Sequence, residues 1–480
     1  MSELKQADSP QKPAYDPAMQ DKLSLKEKFC YGLGDVSGNM VNLGVNMYYN
    51  TFLTTVAGLN ATTVGIIQML SRIFDGISDI ISGLLTDRTH TKYGKCRPWL
   101  LWMAIPYAIC LALMFWSPNT GTSLKVLYAF ITYNLVITGT FTFTQTPYGA
   151  LSARMTQDKQ QRDMLNIWRM VPQVLCSFVV GSFTPDIIKF FGGTMGTNVM
   201  NQRGFLLTFL VYGIVSAVTL YLTFAGTKER VPDEVPATPA KKREKTDWAS
   251  IKALFRNKYW VIQLLSNVIQ ALDTISGGVM MYYLMYIMKD VTLTRYMGFG
   301  SIIMAVSLFF VAPFALKLIG KRWMALSHFA VGALFSLLLL LNPDSAPVFI
   351  VMNLVKPFFA VGNASTKYSM LADAADYGEW KTGVRNEGLI FAGASFGNKV
   401  GQGVASGISL VALGLAGYIS STDGALVTQP QSALTMLVIL FCLTPLILNL
   451  LGVVLMSMWD LDKKYDQIAA DLAVRRAANK

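Results

Sequence analysis

Three charged residues at helical spacing stand out in an apolar segment of the first quarter of the chain. Arg72, Asp75 and Asp79 lie three and four positions apart, so a helix would place them on one face. Two carboxylates one turn apart offer hard oxygen ligands to Na⁺, or one of them can carry a proton when burial favours its neutral form. A salt-bridge network that ties helices together would use the same residues. The pattern favours a site for Na⁺ or H⁺ at Asp75 and Asp79.

The elements that must hold these residues are apolar segments. Of the 480 residues, 52% are hydrophobic and 15% are charged. Stretches of ~20 apolar residues cross the ~30 Å hydrocarbon core of a bilayer as helices, whereas barrel strands would alternate. We therefore predict an all-α membrane protein with twelve transmembrane helices, at residues 28–57, 61–86, 98–117, 124–153, 165–190, 203–226, 259–288, 296–317, 322–342, 346–376, 385–417 and 433–458.

One long polar segment with three prolines and a basic run divides the predicted helices into two sets of six. We interpret it as a linker between two six-helix bundles. The predicted divisions are an N-terminal tail at 1–24, the first bundle at 25–226, the linker at 227–258, the second bundle at 259–460 and a C-terminal tail at 461–480.

Basic residues are unevenly distributed between alternate loops. The connections between spans on one side of the predicted membrane carry 21 Lys and Arg residues, and those on the other side carry five. Since cytoplasmic loops are the basic ones, both termini and the linker are predicted to be cytoplasmic. This topology explains the net charge of +12 without nucleic-acid binding. The first two dozen residues also lack the pattern of a signal peptide.

Enzyme chemistry has little support in the sequence. The two histidines, His90 and His328, are far apart, and the five cysteines include no CxxC pair. A membrane-embedded enzyme would need a nucleophile with its base, or a set of metal ligands. We therefore expect a protein that is not an enzyme and has no cofactor.

Polar side chains inside the predicted spans suit a polyol. The guanidinium of Arg169 can donate two parallel hydrogen bonds to vicinal hydroxyls or to an anion, and the neighbouring Trp168 can stack on a sugar ring. Asn and Thr side chains also hold helices together, which is the competing interpretation. The polar residues of the first and fourth spans are Asp35, Asn39, Asn42, Asn46, Thr142, Thr144, Gln145 and Thr146.

Two lysines in the second half have separate interpretations. Lys367 has no acid at nearby helical spacing on its N-terminal side. It can reach an anionic group on a substrate, or it can extend to the cytoplasmic interface. Lys399 would supply a counter-charge if its helix packs against the one that carries Asp75 and Asp79.

Four motifs in order resemble a known transporter family. Segments 83–88 and 94–98 resemble the loop between the second and third helices of the major facilitator superfamily. Segment 372–387, together with 72–79 and 31–35, is similar to the glycoside-pentoside-hexuronide:cation symporters. The resemblance runs from about Leu25 to Asp462. It implies the superfamily fold, a monomer in the inner membrane of a bacterium, and symport of a sugar with H⁺ or Na⁺ by alternating access.

The resemblance also implies roles for individual residues. It places the cation at Asp75, Asp79 and Thr142, a lysine that interacts with this site at Lys399, and substrate contacts at Asn39, Gln145 and Arg169. Trp168 and Lys367 complete the predicted substrate residues on their own chemistry, and Lys399 is counted with them. It places the cytoplasmic gate at Asp87, Arg88, Arg97, Asp373, Asp376, Glu379 and Arg385.

Two departures from the family bear on the substrate. Asn39 and Gln145 stand where galactoside carriers of the family have aspartates, and Gly149 replaces a tryptophan. An amide lacks the charge-assisted hydrogen bonds of a carboxylate. The expected substrate is therefore a glycoside, a pentoside or an anionic sugar such as a hexuronide or a sulfonated sugar. A passive facilitator or a sugar sensor with the same fold remains the alternative.

Overall fold

The computed structural model describes residues 22–156, 158–192, 201–231, 254–382, 401–402, 405, 407–422 and 424–478. Throughout this part of the chain the structure is helical, and it contains no β-strand.

The first half of the chain forms six helices. Helix α1 covers Leu25–Gly44 and continues through the π-helical turns Val45–Tyr49 and Phe52–Val56. The next are α2 (Ala61–Arg88), α3 (Arg97–Met114), α4 (Thr122–Asn134, Leu135–Phe141 and Thr142–Met155), α5 (Lys159–Gly192) and α6 (Gln202–Gly226).

The second half repeats this pattern with two interruptions. Helix α7 covers Lys258–Asp273 and Ile275–Tyr286 and is broken at Thr274. Helix α8 covers Arg295–Val306 and Ser307–Val311 and enters Ala312–Leu341, which bends at Gly320; the arm after the bend is α9. The remaining helices are α10 (Ala346–Thr382), α11 (described at 407–415), α12 (Gln431–Val438, Ile439–Leu443 and Thr444–Ser457) and α13 (Tyr465–Ala478).

Seven helices among the described residues are long and apolar enough to cross a membrane. One of them spans 51 residues at 291–341. A straight helix of that length would measure about 75 Å, more than twice the hydrocarbon core. Gly320 has a φ of 79°, a value that favours glycine, and divides this segment into two helical arms. The count of twelve spans and the domain boundaries stay predictions.

The two halves contact each other at the end of the helices that is remote from both termini, here called the far end. Asn50 of α1 donates to the backbone oxygen of Gly278 at 3.4 Å, and the hydroxyls of Thr54 and Tyr282 lie 2.8 Å apart. On the other flank, Ser182 of α5 donates to the backbone oxygen of Arg295 at 3.1 Å. The structure therefore has a closed far end.

Glycines allow this close approach. A Cβ added at Gly298 of α8 would lie 2.7 Å from the backbone oxygen of Phe178 and would also overlap Ser182. A Cβ at Gly181 would lie 3.0 Å from the backbone nitrogen of Gly298. Small residues of this kind let membrane helices pack backbone to backbone.

We expect Gly298→Ala to open the far end. Overpacking costs about 1–3 kcal/mol, which would shift the closed-to-open ratio by about 5- to 150-fold. The measurement is the distance between spin labels on Lys189→Cys and Lys289→Cys, in a background without the five native cysteines. Gly277→Ala is the matched control, since a Cβ there meets nothing within 4 Å. Equal distance distributions in the two variants would contradict the expectation.

Candidate functional site

The structure brings two of the predicted cation-site residues together. The hydroxyl of Thr142 on α4 lies 3.2 Å from Oδ1 of Asp75 on α2 and 3.1 Å from the backbone oxygen of Ile137. Nη1 of Arg72 lies 3.9 Å from the other carboxylate oxygen of Asp75. A carboxylate, a hydroxyl and a carbonyl thus meet at one point between α2 and α4. Hard oxygen ligands of this kind suit a small cation.

A π-helical turn in α4 shapes this point. The turn covers Leu135–Phe141 and ends immediately before Thr142. Such turns rearrange the usual backbone hydrogen bonds and often occur at functional sites. Asn134 donates to the hydroxyl of Ser71 at 2.8 Å, which holds α4 against α2. Sequence reasoning missed Ile137 because its contribution is a backbone carbonyl and its side chain carries no signal.

For the other predicted residues of the cation site, Asp79 and Lys399, the structure gives less detail. Asp79 lies one turn beyond Asp75 on α2 and is half-buried. Lys399 lies outside the described residues. No group of three or more His, Cys, Asp or Glu side chains capable of holding a metal occurs in the described part of the chain.

A second charged cluster joins α1, α4 and α5. Nη2 of Arg169 donates to Oδ1 of Asp35 at 2.9 Å. The guanidinium also lies over the ring of Tyr148, 4.7 Å from its centroid. That ring stacks on Tyr31, and the hydroxyl of Tyr148 donates to the backbone oxygen of Tyr31 at 2.8 Å. We call these four residues the Arg169 cluster. The Arg169 side chain stays 27% exposed.

A buried amide beside the Arg169 cluster lacks a hydrogen-bond partner. Nε2 of Gln145 is buried and makes no hydrogen bond within the described part of the chain. It packs against Gly38, where a Cβ would lie 2.5 Å from it. An unsatisfied buried donor costs about 1–3 kcal/mol, so this one is suited to a polar ligand.

The remaining predicted substrate residues differ in burial and in hydrogen bonding. The amide of Asn39 donates to the backbone oxygen of Asp35 at 2.9 Å and is thus used within α1. Trp168 is half-buried, and its backbone oxygen lies 2.5 Å from the position of a Cβ at Gly32. Lys367 is half-buried on α10 and forms no hydrogen bond or ion pair with the described residues.

Comparison with known proteins identifies the family. Residues 30–463 match the family model described as "MFS/sugar transport protein". The chain belongs to this family. The isoprimeverose transporter of Lactiplantibacillus pentosus is 29% identical over 97% of this chain and 95% of its own length. The putative glycoside/cation symporter YagG of Escherichia coli K12 is 29% identical over 95% of this chain and 96% of its own.

A third relative points to a different sugar chemistry. The putative sulfoquinovose importer of Salmonella typhimurium is 28% identical over 85% of this chain and 86% of its own length. These names fit the glycoside-pentoside-hexuronide:cation symporters, so the resemblance predicted from the motifs is confirmed. A protein of this family is a transporter and not an enzyme.

Solved structures agree on the fold of this family. A structure titled for substrate recognition in proton dependent oligopeptide transporters has a TM-score of 0.62 and 13% identity, and covers 93% of this chain and 99% of that one. A mutant of the nucleoside transporter NupG has a TM-score of 0.57 and 15% identity, over 90% of this chain and 99% of that one. At this identity the similarity shows the fold alone. The predicted fold class, an all-helical transporter of this superfamily, is confirmed.

The predicted gate residues of the first half lie at the end of the bundle that carries the termini. Asp87 and Arg88 are exposed on the last turn of α2. Arg97 donates from Nη2 to the backbone oxygen of Phe224 at 2.7 Å and lies over its ring. Glu229, which was predicted as part of the linker, accepts hydrogen bonds from three backbone amides at the start of α3, those of Arg97 and of the two residues before it, Lys95 and Cys96.

The predicted gate residues of the second half contact neighbouring elements of that half. Asp373 accepts a hydrogen bond from Lys321 at 2.5 Å, and Asp376 accepts one from the hydroxyl of Tyr465 in α13 at 2.9 Å. Glu379 is half-buried on α10, and Arg385 lies outside the described residues. Gating by these residues stays a prediction.

The connection between α12 and α13 contains a further charged centre. Hydrogen bonds from Lys464 and Lys258 hold the pKa of the Asp460 carboxyl well below its usual range. Tyr259 of α7 also donates to Asp460, at 2.8 Å. These contacts tie the end of the chain to the start of α7.

The variant Asp35→Asn tests how much the ion pair of Asp35 with Arg169 contributes to the stability of the protein. Removing one partner of a buried ion pair leaves an uncompensated charge. Because Arg169 is partly exposed, we expect a loss of about 2–3 kcal/mol in stability, below the cost for a fully buried pair. The measurement is thermal unfolding of the purified protein.

Asp186→Asn is the control for this variant, because Asp186 pairs with Arg295 at the same 2.9 Å but with 37% and 48% of the two side chains exposed. Such a pair contributes at most about 1 kcal/mol. If both variants lose equally little stability, the ion pair of Asp35 with Arg169 does not make the expected contribution.

Proposed function

We propose that this protein is a cation-coupled symporter that moves a glycoside, pentoside or anionic sugar across the cytoplasmic membrane of a bacterium. The carrying observation is the contact between Asp75 and Thr142. It brings a carboxylate and a hydroxyl from two helices within reach of one small cation. The co-transported ion is H⁺ or Na⁺. We further propose that the protein acts as a monomer with both termini in the cytoplasm.

Coupling follows from the charges around Asp75. Arg72 is its close basic neighbour, so a cation that neutralises Asp75 also changes the electrostatic setting of Arg72. Both residues lie on α2, which packs against α4, and α4 also carries Gln145 and Tyr148 of the sugar site. A cation that orders α4 raises sugar affinity, and by linkage the sugar raises cation affinity by the same factor.

The Arg169 cluster is the proposed sugar site in the first half. The guanidinium donates in a planar fork, the Asp35 carboxylate accepts, and the unpartnered amide of Gln145 adds another donor. This set recognises vicinal hydroxyls of a ring. Asn39, predicted from the family, and Trp168, predicted as a residue that stacks on a sugar ring, complete the proposed site.

Transport requires the closed far end to open. The two halves of such transporters rock about a central site that opens to one side at a time. The glycine contacts between α5 and α8 can separate at low cost, and the exposed ion pair of Asp186 with Arg295 at the same interface contributes at most about 1 kcal/mol. One charge that crosses ~100 mV supplies about 2.3 kcal/mol, enough for roughly 50-fold accumulation at about 1.4 kcal/mol per tenfold.

The substrate class is narrowed by the relatives and by Lys367. The named relatives include carriers of a neutral sugar, isoprimeverose, and of a sulfonated sugar, sulfoquinovose. Lys367 supports the anionic choice because it has no partner among the described residues. An extension of Lys367 to the membrane interface is the competing interpretation.

Uptake by vesicles tests the symport. We expect wild type to accumulate sugar against its gradient when a Na⁺ or H⁺ gradient is imposed. Asp75→Asn and Thr142→Val should lose this accumulation and retain at least part of downhill exchange, because both remove a cation ligand and leave the sugar site. Thr208→Val is the control, since the buried hydroxyl of Thr208 bonds within α6. Uptake that never exceeds equilibrium in wild type would indicate a facilitator or a sensor.

The variant Lys367→Met tests whether Lys367 recognises the anionic group of a sugar. We expect it to weaken sulfoquinovose by about 2 kcal/mol, the scale of a hydrogen bond to a charged group, and to leave the matching uncharged glucoside unchanged. Arg169→Met should weaken both, because its fork binds ring hydroxyls. Competition against a labelled substrate measures this. If the neutral sugar competes in wild type as well as the anionic one, a pentoside or glycoside becomes the better assignment.

A further inference from the structure

The second half contains an acid–base pair that the proposed site does not use. Nζ of Lys356 on α10 lies 3.3 Å from Oδ2 of Asp273 on α7. The amide of Asn449 on α12 donates to the other carboxylate oxygen, also at 3.3 Å. Helix α9 packs against this pair at Gly332, where a Cβ would lie 2.5 Å from Oδ1 of Asn449, and His328 lies one turn before Gly332 on the same helix. We call Asp273, Lys356, Asn449 and His328 the Asp273 cluster.

The Asp273 cluster is covered on one side and open on the other. Asn449 is 2% exposed and His328 is 8% exposed, so α9 and α12 form its covered side. The side chains of Asp273 and Lys356 keep 24% and 26% of their surface exposed. The open side therefore lies along α7 and α10.

Much of the hydrogen-bonding capacity of the Asp273 cluster is unused. An ammonium has three donors and a carboxylate accepts about four hydrogen bonds. The contact of Lys356 with Asp273, at 3.3 Å, is also longer than the roughly 2.7–2.9 Å of charge-assisted bonds. In addition, Nδ1 of the buried His328 has no hydrogen-bond partner among the described residues. A ligand with several hydroxyls on the open side can bond the free donors of Lys356 and the free acceptor positions of Asp273 at once.

The position of Asp273 connects the cluster to the far end. Helix α7 breaks at Thr274, directly after Asp273. The following segment carries Gly278 and Tyr282, which contact α1 at the far end. A ligand bound at Asp273 therefore lies beside the break in α7. The segment after the break, Ile275–Tyr286, must move when the far end opens.

We propose that the Asp273 cluster is a second sugar-binding subsite, which takes the hydroxyls of an uncharged ring. This inference rests on the proposed function. The ligand is neutral because Lys356 is already neutralised by Asp273. With the Arg169 cluster in the first half, a substrate of two rings, or a ring with a polar substituent, is held by both halves together.

The alternative is that Asp273 and Lys356 only hold α7 against α10. The two roles differ in how paired substitutions behave. A structural ion pair can be replaced by two neutral side chains without loss, because no unpaired charge remains. A binding subsite cannot, because the groups that contact the sugar are gone.

The experiment measures binding of isoprimeverose and of sulfoquinovose to the purified full-length protein by calorimetry, together with thermal unfolding. We expect Asp273→Asn and Lys356→Met each to lower both stability and affinity. The double variant Asp273→Asn/Lys356→Met should regain stability, while its affinity stays at least about tenfold below wild type, or about 1.4 kcal/mol. Glu27→Gln is the control, because it breaks the ion pair with Arg230 and should leave affinity unchanged.

The outcomes separate the two proposals. A double variant that regains wild-type affinity would overturn the subsite and leave the symporter assignment intact. A wild-type protein that binds neither sugar would overturn the proposed substrate class and the subsite with it. Retained stability with lost affinity in the double variant supports the subsite.

Discussion

The cost of placing charge in hydrocarbon is the constraint on which this structure depends. An ionised side chain inside a membrane must be paired or must face water. Here acids of three different helices each contact a donor on another helix, and each pair keeps some exposed surface. These pairs are Asp35 with Arg169, Asp75 with Thr142, and Asp273 with Lys356.

Each of these contacts serves packing and, in our proposal, transport. Because the partners lie on different helices, any ligand that competes for one carboxylate changes the force between two helices. That is the property that a coupled transporter needs, since cation and sugar must bias the same movement. The closed far end is held through glycine packing, a few neutral hydrogen bonds and the exposed ion pair of Asp186 with Arg295, which can be broken and remade at low cost.

Much of the architecture could be predicted from the sequence. A helix that crosses lipid must be a long apolar run, and basic residues collect in the cytoplasmic loops, so both patterns can be read without a structure. That Thr142 shares a site with Asp75 could be predicted only from the family resemblance. The π-helical turn before Thr142 and the break at Thr274 had no local signal, since both depend on packing between helices. The partner of Arg169 was also missed: Asp35 was noted as polar lining, but spacing within one helix cannot show which other helix lies opposite.

The most direct test of the account is the sugar affinity of the purified protein, measured by calorimetry at a series of Na⁺ concentrations and at a series of pH values. The account predicts that one of the two cations raises sugar affinity by a factor of about 5–150, that sugar raises the affinity for that cation by the same factor, and that Asp75→Asn abolishes both effects. Sugar binding that is independent of both cations, or a dependence that survives in Asp75→Asn, would contradict it.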